Sequence, residues 1–412
     1  MNENNKIIFK NKLDIDPILE LYRGKIYCQI IKSFIQLVTS KLGTEIFSVK
    51  KSYPRTLTNL LSSWMFILYS FEGNMNDSFF PDNFTNVEPL KSTLLDFCKY
   101  ENKNKNYDQI ITLMLDDFIK IINEYINILE KYKLSQFYLI SKDNYKIIKK
   151  LFKQTRDNEE ITFYKFKINI NFGIKDKRLI NILDNILIPI DIYNKLKNNY
   201  TGNPIYMDNI IWIIIFRYQL LGSNNHQLGV LPSIINQMIS DYKLNFECFA
   251  SSINSTLDKY CSIYYDVEKY FGSQGNFFNY NIIEGIYSFN PPYQINIMNL
   301  GIEKILKFLE IANNNNKNLT FIITIPIWDK EGQEILNQTN KIDYGDFEII
   351  KSIKESQYFI GLRLILKEDF TYLDHNFKLY KNKTIQNTYI IILSTDTLLD
   401  FTKINNYNFS LK

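Results

Sequence analysis

From about Ile205 onward, short apolar runs alternate with stretches of helical period, and this alternation narrows the possible folds more than any other property of the chain. Gly285–Phe289, Thr320–Ile325, Phe359–Leu366 and Thr388–Leu393 are too short for helices and lack polar alternation, so both faces of each strand must be covered. Phe246–Ala250 is a fifth run of this kind. Between them, Asn296–Ala312 sets Ile297, Leu300, Gly301, Lys304, Ile305, Phe308 and Leu309 on one stripe, and the polar run Asn313–Asn316 closes that helix. Strand and helix in turn imply an α/β domain, a parallel sheet with helices on both faces, over residues 201–412.

The first 200 residues read differently. Asp16-Pro17 is an N-cap followed by a first-turn proline, and apolar residues then recur at intervals of three and four through Val38. Thr58–Phe71, Leu90–Tyr100, Tyr107–Tyr132 and Asp143–Phe152 carry the same period, whereas Ile161–Ile170 alternates and reads as a strand. A mainly helical domain over residues 1–200 is expected.

At 412 residues the chain buries a large core without staples. Four widely spaced cysteines and two distant histidines, His226 and His375, match no zinc-ligand spacing, so no metal is expected. The start is polar, and the most apolar run, Ile210–Phe216, stops at Arg217, so neither a signal peptide nor a membrane span is expected and the reading is a soluble intracellular protein. Net charge is +4, and 42 of the 48 basic residues are Lys. Lys, Asn, Ile and Tyr are inflated together, as in AT-rich coding sequences, so the lysine excess by itself says little about nucleic acid, although a local basic groove remains open.

Asn290-Pro291-Pro292-Tyr293 lies directly after an apolar strand and directly before the amphipathic helix. An adenine amino group is a poor nucleophile because its lone pair is delocalised into the ring. Methylating it requires acceptors for both N–H bonds, and an Asn side-chain oxygen plus a backbone carbonyl fixed by proline supply them. The aromatic fourth residue stacks on the base, and the strand end places the loop where ligands of α/β sheets sit. Methyl transfer from a sulfonium is an in-line displacement driven by positioning.

Four strings in order, Phe246–Asn254, Tyr270–Gly275, Phe289–Tyr293 and Ile325–Trp328, resemble the phosphorylated C-terminal-domain-interacting factor family of cap-specific adenosine N6-methyltransferases. Phe216–Leu221 and Val230-Leu231-Pro232 fit it as well, so the similarity runs from about Ile205 to Asp396. The resemblance implies a Rossmann-like methyltransferase domain that uses S-adenosyl-L-methionine and acts on the capped 5′ end of mRNA. It assigns Asn290, Pro291, Pro292 and Tyr293 to the reaction, with Asn290 also beside the cofactor. Phe249, Ala250, Ser251 and Asn254 would line the methionine end of the cofactor, Asp266 (with Glu268 as rival) would meet the ribose hydroxyls, and Gly272, Ser273 and Gly275 would give a close-approach turn. Trp328, with Asp329 and Lys330, would meet the substrate.

The chain departs from the family pattern at Tyr293, where the family carries Phe, at Ser252, where it has Pro, and at Ile295, where it has an acid. Nothing before Leu19 supplies a WW domain, so recruitment to a polymerase tail by that route is not expected. The resemblance also makes the domain over residues 1–200 a candidate for RNA or cap binding, with Arg55 and Arg156 as candidates by residue type alone. Two other functions stay open: a catalytically silent RNA-binding scaffold, and an N6-adenine methyltransferase for DNA or internal RNA sites.

Overall fold

The computed structural model describes residues 16–44, 46, 53–71, 77, 79–81, 84–98, 106–135, 145–156, 159–169, 173–222, 228–335, 349–373, 379–380 and 387–410. The chain is mixed α/β and divides into two compact units, residues 1–187 with 202–222, and residues 188–201 with 223–412. It passes between them three times rather than once near residue 200.

In the first unit, helices α1 (Pro17–Leu42), α2 (Tyr53–Phe71), α3 (Glu88–Cys98) and α4 (Tyr107–Lys133) pack with a later helix, Met207–Leu221. Asp16 caps α1 by accepting the Ile18 N–H at 2.8 Å, with Pro17 in the first turn. The apolar run Ile210–Phe216 is buried all round within its helix, which explains its length without a membrane. The core also encloses charge. Arg23 forks onto Asp77 (2.8 and 3.1 Å) and Glu20 (2.7 Å), and Arg217 reaches the same Glu20 at 2.6 Å, with Glu20, Arg23 and Arg217 fully buried.

One expected helix is absent. Asp143–Phe152 gives way to strand β1 (Lys146–Arg156), paired antiparallel over eleven residues with β2 (Glu159–Asn169). Ile147, Ile148, Leu151 and Phe152 satisfy helical spacing, but a complete ladder to the adjacent strand outweighs so weak a local preference. Helix α5 (Lys177–Asp184) and a short strand, β3 (Leu187–Pro189), follow.

The second unit is built on a five-stranded sheet in the order β5 (Phe246–Glu247), β6 (Gly285–Phe289), β7 (Leu319–Pro326), β11 (Thr388–Ser394), β8 (Phe359–Ile365). β5, β6 and β7 are parallel, but β11 inserts antiparallel to both of its neighbours, so the sheet is mixed and not the all-parallel one expected. Parallel bridges at Tyr260 and Ser273 extend the sheet beyond β5. A small sheet carries β4 (Gly229–Val230), β9 (Tyr372–Leu373) and β10 (Leu379–Tyr380).

Consecutive residues of the central strands feed opposite cores: Phe321, Ile323 and Ile325 one, Ile322 the other; likewise Tyr389 and Ile391 against Ile390 and Ile392. Double-sided burial is why these strands are continuously apolar. Helices α6 (Pro232–Tyr242) and α7 (Ile295–Asn314) cover opposite faces. Gly301 lets α7 settle on β6, since a Cβ there would stand 2.5 Å from the Phe289 ring. Two short helices, α8 (Lys330–Ile335) and α9 (Ile349–Glu355), complete the layer that concerns the site.

Candidate active site

Strand order dictates where a ligand would sit. From β5 the chain turns to one side, through Tyr260 and then Ser273, and returns on the other side as β6. The order reverses between β5 and β6, and open α/β sheets bind ligands beyond the carboxyl ends of the strands at that reversal. The segments leaving those two ends are Cys248–Leu257 and Asn290–Gln294. The Cys248 N–H donates to the Ser288 carbonyl at 2.8 Å, and the Phe249 and Phe289 rings lie 5.3 Å apart, so the two exits adjoin.

Asn290 is the first residue past β6. Its Nδ2 donates to the Leu228 carbonyl at 2.9 Å, whereas its Oδ1 is buried with no hydrogen-bond partner. Fixing the nitrogen decides which way the amide points, and an acceptor so placed costs about 1–3 kcal/mol until a donor reaches it. Pro291 and Pro292 are buried, and the Pro292 carbonyl takes the Gln294 N–H at 2.7 Å on entry to α7.

Tyr293 is half-buried. Its hydroxyl bonds that of Tyr372 at 2.5 Å, and Tyr372 in turn bonds Thr388 Oγ1 at 2.8 Å. Burial, reinforced by the neighbouring Tyr372, pushes the Tyr293 phenol well above the ordinary tyrosine value; burial also raises Tyr372. The ring meets Trp328 edge-on at 6.3 Å and Tyr372 at 6.0 Å. Leu228, Tyr372 and Thr388 carry no local signal that sequence reading would catch.

Two acids, the half-buried Glu247 and the fully buried Glu268, hold the segment after β5. Glu247 accepts the N–H groups of Thr256 and Leu257, both at 2.8 Å, and Glu268 accepts the Ser252 N–H at 2.7 Å and hydroxyl at 3.0 Å. Within the loop, Asn254 Oδ1 takes the Ser251 N–H at 2.7 Å and hydroxyl at 3.0 Å, while the Ala250 N–H is spent on the Cys261 carbonyl at 2.9 Å. Burial pushes the Glu247 carboxyl up to about 7, against its two N–H partners and nearby Lys195, which favour the charged form. Neither acid was evident as a loop anchor from sequence. Glu268 is fully buried under Ser252 and anchors the loop there. Asp266 is half-buried on the single helical turn Tyr265–Glu268.

Several other expected site residues hold the framework. Gly272 has φ +104°, and a Cβ there would lie 1.9 Å from the Asp258 carbonyl oxygen. Ser273 is buried with its hydroxyl 2.7 Å from that of Ser262. Asp329 accepts the Gly332 N–H at 2.9 Å, capping α8, and Lys330 is exposed in its first turn. Arg55 is exposed on α2, the side chain of Arg156 lies outside the described residues, and so do His226 and His375. Thus Asn290, Tyr293 and Trp328 converge, with Phe249 beside them through Phe289.

Among the described residues no group of three or more His, Cys, Asp or Glu could hold a metal ion, and no helix is long and apolar enough to cross a membrane. The family model described as the phosphorylated CTD interacting factor 1 WW domain matches residues 191–361. These residues span β5 to β7 and both loops of the site. The chain thus carries a segment like that of the phosphorylated CTD interacting factor 1 family. It is 26% identical over 192 residues to a human protein named mRNA (2′-O-methyladenosine-N(6)-)-methyltransferase, covering 45% of this chain and 26% of that protein. The mouse protein of the same name is 25% identical over 189 residues, covering 44% of this chain and 25% of its own length. The chain therefore spans about a quarter of the length of these curated relatives.

Proposed function

We propose that this chain is an S-adenosylmethionine-dependent methyltransferase acting on N6 of adenosine in RNA, with the adenosine next to the cap as its substrate. The observation that carries the reading is Asn290: its nitrogen is tied to Leu228, leaving a buried, unpartnered Oδ1 at the reversal of strand order. That oxygen and the Pro291 carbonyl would accept the two N–H bonds of the exocyclic amine and turn its lone pair out of conjugation. Tyr293, anchored by Tyr372 and faced by Trp328, would hold the base plane. The second unit, with β5 to β7 parallel and a switch point between β5 and β6, supports a Rossmann-like domain. Phe249, Ala250, Ser251 and Asn254 would line the cofactor from the first strand end, with Asp266, on the turn beyond the Tyr260 strand, toward its ribose. The cofactor supplies an electrophilic methyl group; what the chain contributes is alignment and acceptors. The names of the similar human and mouse proteins support the choice of an mRNA adenosine.

The test is transfer of labelled methyl from S-adenosylmethionine to three matched RNAs: capped with adenosine first, capped with guanosine first, and uncapped. Label confined to the capped adenosine RNA, recovered as N6-methyladenosine, is the expected result. Equal labelling of uncapped RNA would remove the cap from the reading, and cofactor binding without transfer to any RNA would refute it. Asn290→Ala should abolish transfer while leaving cofactor affinity within about threefold. Loss of both together would refute the division of roles.

A further inference from the structure

Hairpin β1–β2 concentrates the positive charge of the chain. Residues 146–169 contain seven Lys or Arg and three Asp or Glu, a net +4 that equals that of all 412 residues, so the remainder of the chain sums to zero. All three acids lie at the turn, between 157 and 160. A general lysine bias does not explain this, because elsewhere acids balance it.

Register then sorts the charges by face. Lys150 lies opposite Lys165, Ile148 opposite Lys167, Phe152 opposite Phe163 and Lys146 opposite Asn169, which puts Lys146, Lys150, Lys165, Lys167 and Phe152 on one face. Two lysines directly opposite each other repel. Among the described residues no ion pair reaches these four lysines; the hairpin's ion pairs, Lys149 with Asp208 at 3.0 Å and Lys153 with Glu160 at 2.6 Å, belong to the other face. Phe152 is 37% exposed with the Lys165 ammonium 5.5 Å from its ring centre. The face runs about 20 Å from Lys146 to Phe152 at ordinary strand rise. A ribbon whose unneutralised ammonium groups and exposed Phe152 ring flank the buried Phe163 of the same face complements a single-stranded polyanion whose bases stack.

We propose that this face binds single-stranded RNA without sequence preference, the four lysines on phosphates and Phe152 under a base. This rests on the reading of the chain as an RNA methyltransferase and adds to it a second contact for the body of the substrate. The experiment is anisotropy of a labelled, uncapped 20-nucleotide RNA titrated with the full chain at several salt concentrations, which requires no catalysis. In the variant with Lys146, Lys150, Lys165 and Lys167 all changed to Gln, affinity should fall at least tenfold and the slope of log K against log salt should lose about 3, at about 0.7 per released phosphate contact. Phe152→Ala should weaken binding about 5- to 150-fold and Phe152→Trp should restore it. Unchanged affinity and slope in a quadruple variant with a wild-type unfolding transition would overturn the proposal. So would binding of poly-glutamate as tight as RNA and equally lost in the variant, which would assign the face to an acidic protein. If the lysine variant loses RNA but the wild-type chain transfers no methyl group, the hairpin site stands and the enzymatic reading fails.

Discussion

The relay Tyr293–Tyr372–Thr388 allows the support of the proposed base platform to be measured bond by bond. The two bonds share Tyr372, whose side chain is 1% exposed, and Thr388 is fully buried. Tyr293→Phe removes one bond, worth about 1 kcal/mol, and leaves Tyr372 its bond to Thr388. Tyr372→Phe keeps the ring but removes both, so it should cost about 2 kcal/mol. In a unit of about 200 residues that lowers the melting temperature by about 4–8 °C. The double variant loses the same two bonds and no others. It should therefore match Tyr372→Phe, with a coupling of about 1 kcal/mol between the two sites. Calorimetric melting of the three variants beside the wild-type chain reads all of this. Additive costs, or a Tyr372→Phe no more harmful than Tyr293→Phe, would refute the relay. Because both phenols are held above their ordinary range, the same values are expected at pH 7 and pH 8.5.

Other perturbations separate framework from chemistry. Gly272→Ala places a Cβ 1.9 Å from a backbone oxygen at φ +104° and should cost more than about 3 kcal/mol, read as a lower urea midpoint; a midpoint unchanged within error would mean that the turn yields. Glu20→Ala leaves Arg23 and Arg217 buried without their shared carboxylate and should cost about 3–5 kcal/mol by the same measurement, a loss below 1 kcal/mol being the contrary result. Glu247 binds its proton more tightly folded than unfolded, so its contribution is complete below the ordinary glutamate range and fades as pH rises to about 7. Wild-type melting temperature should accordingly decline more between pH 5 and pH 7 than that of Glu247→Gln; parallel curves would exclude that titration.

How much of this was legible depends on the range of the forces involved. Strands expected at Gly285–Phe289, Thr320–Ile325 and Thr388–Leu393 form at Gly285–Phe289, Leu319–Pro326 and Thr388–Ser394, because burial on both faces leaves an apolar run that any register preserves. The antiparallel insertion of β11 was not legible, since an apolar strand carries no mark of its direction. Nor was β1. Its Lys-rich, Ile-containing run suits either structure, and eleven paired residues, not propensity, decide it.

The same distinction runs through the candidate site. Asn290-Pro291-Pro292-Tyr293 could be read locally because its chemistry depends on adjacent residue types and on a strand behind and a helix ahead. What orients it comes from 62 residues upstream, at Leu228, and 79 residues downstream, at Tyr372. An asparagine without the Leu228 carbonyl would be free to turn its amide over and present a donor where the proposed reaction needs an acceptor. A tyrosine without Tyr372 would keep its ring but lose the bond that fixes the tilt. On the proposed reading the motif supplies the reacting groups, while residues with no motif of their own set their geometry. For that reason Tyr372 and the segment entering β4 at Leu228 are where an intact Asn-Pro-Pro-Tyr could still belong to an inactive chain.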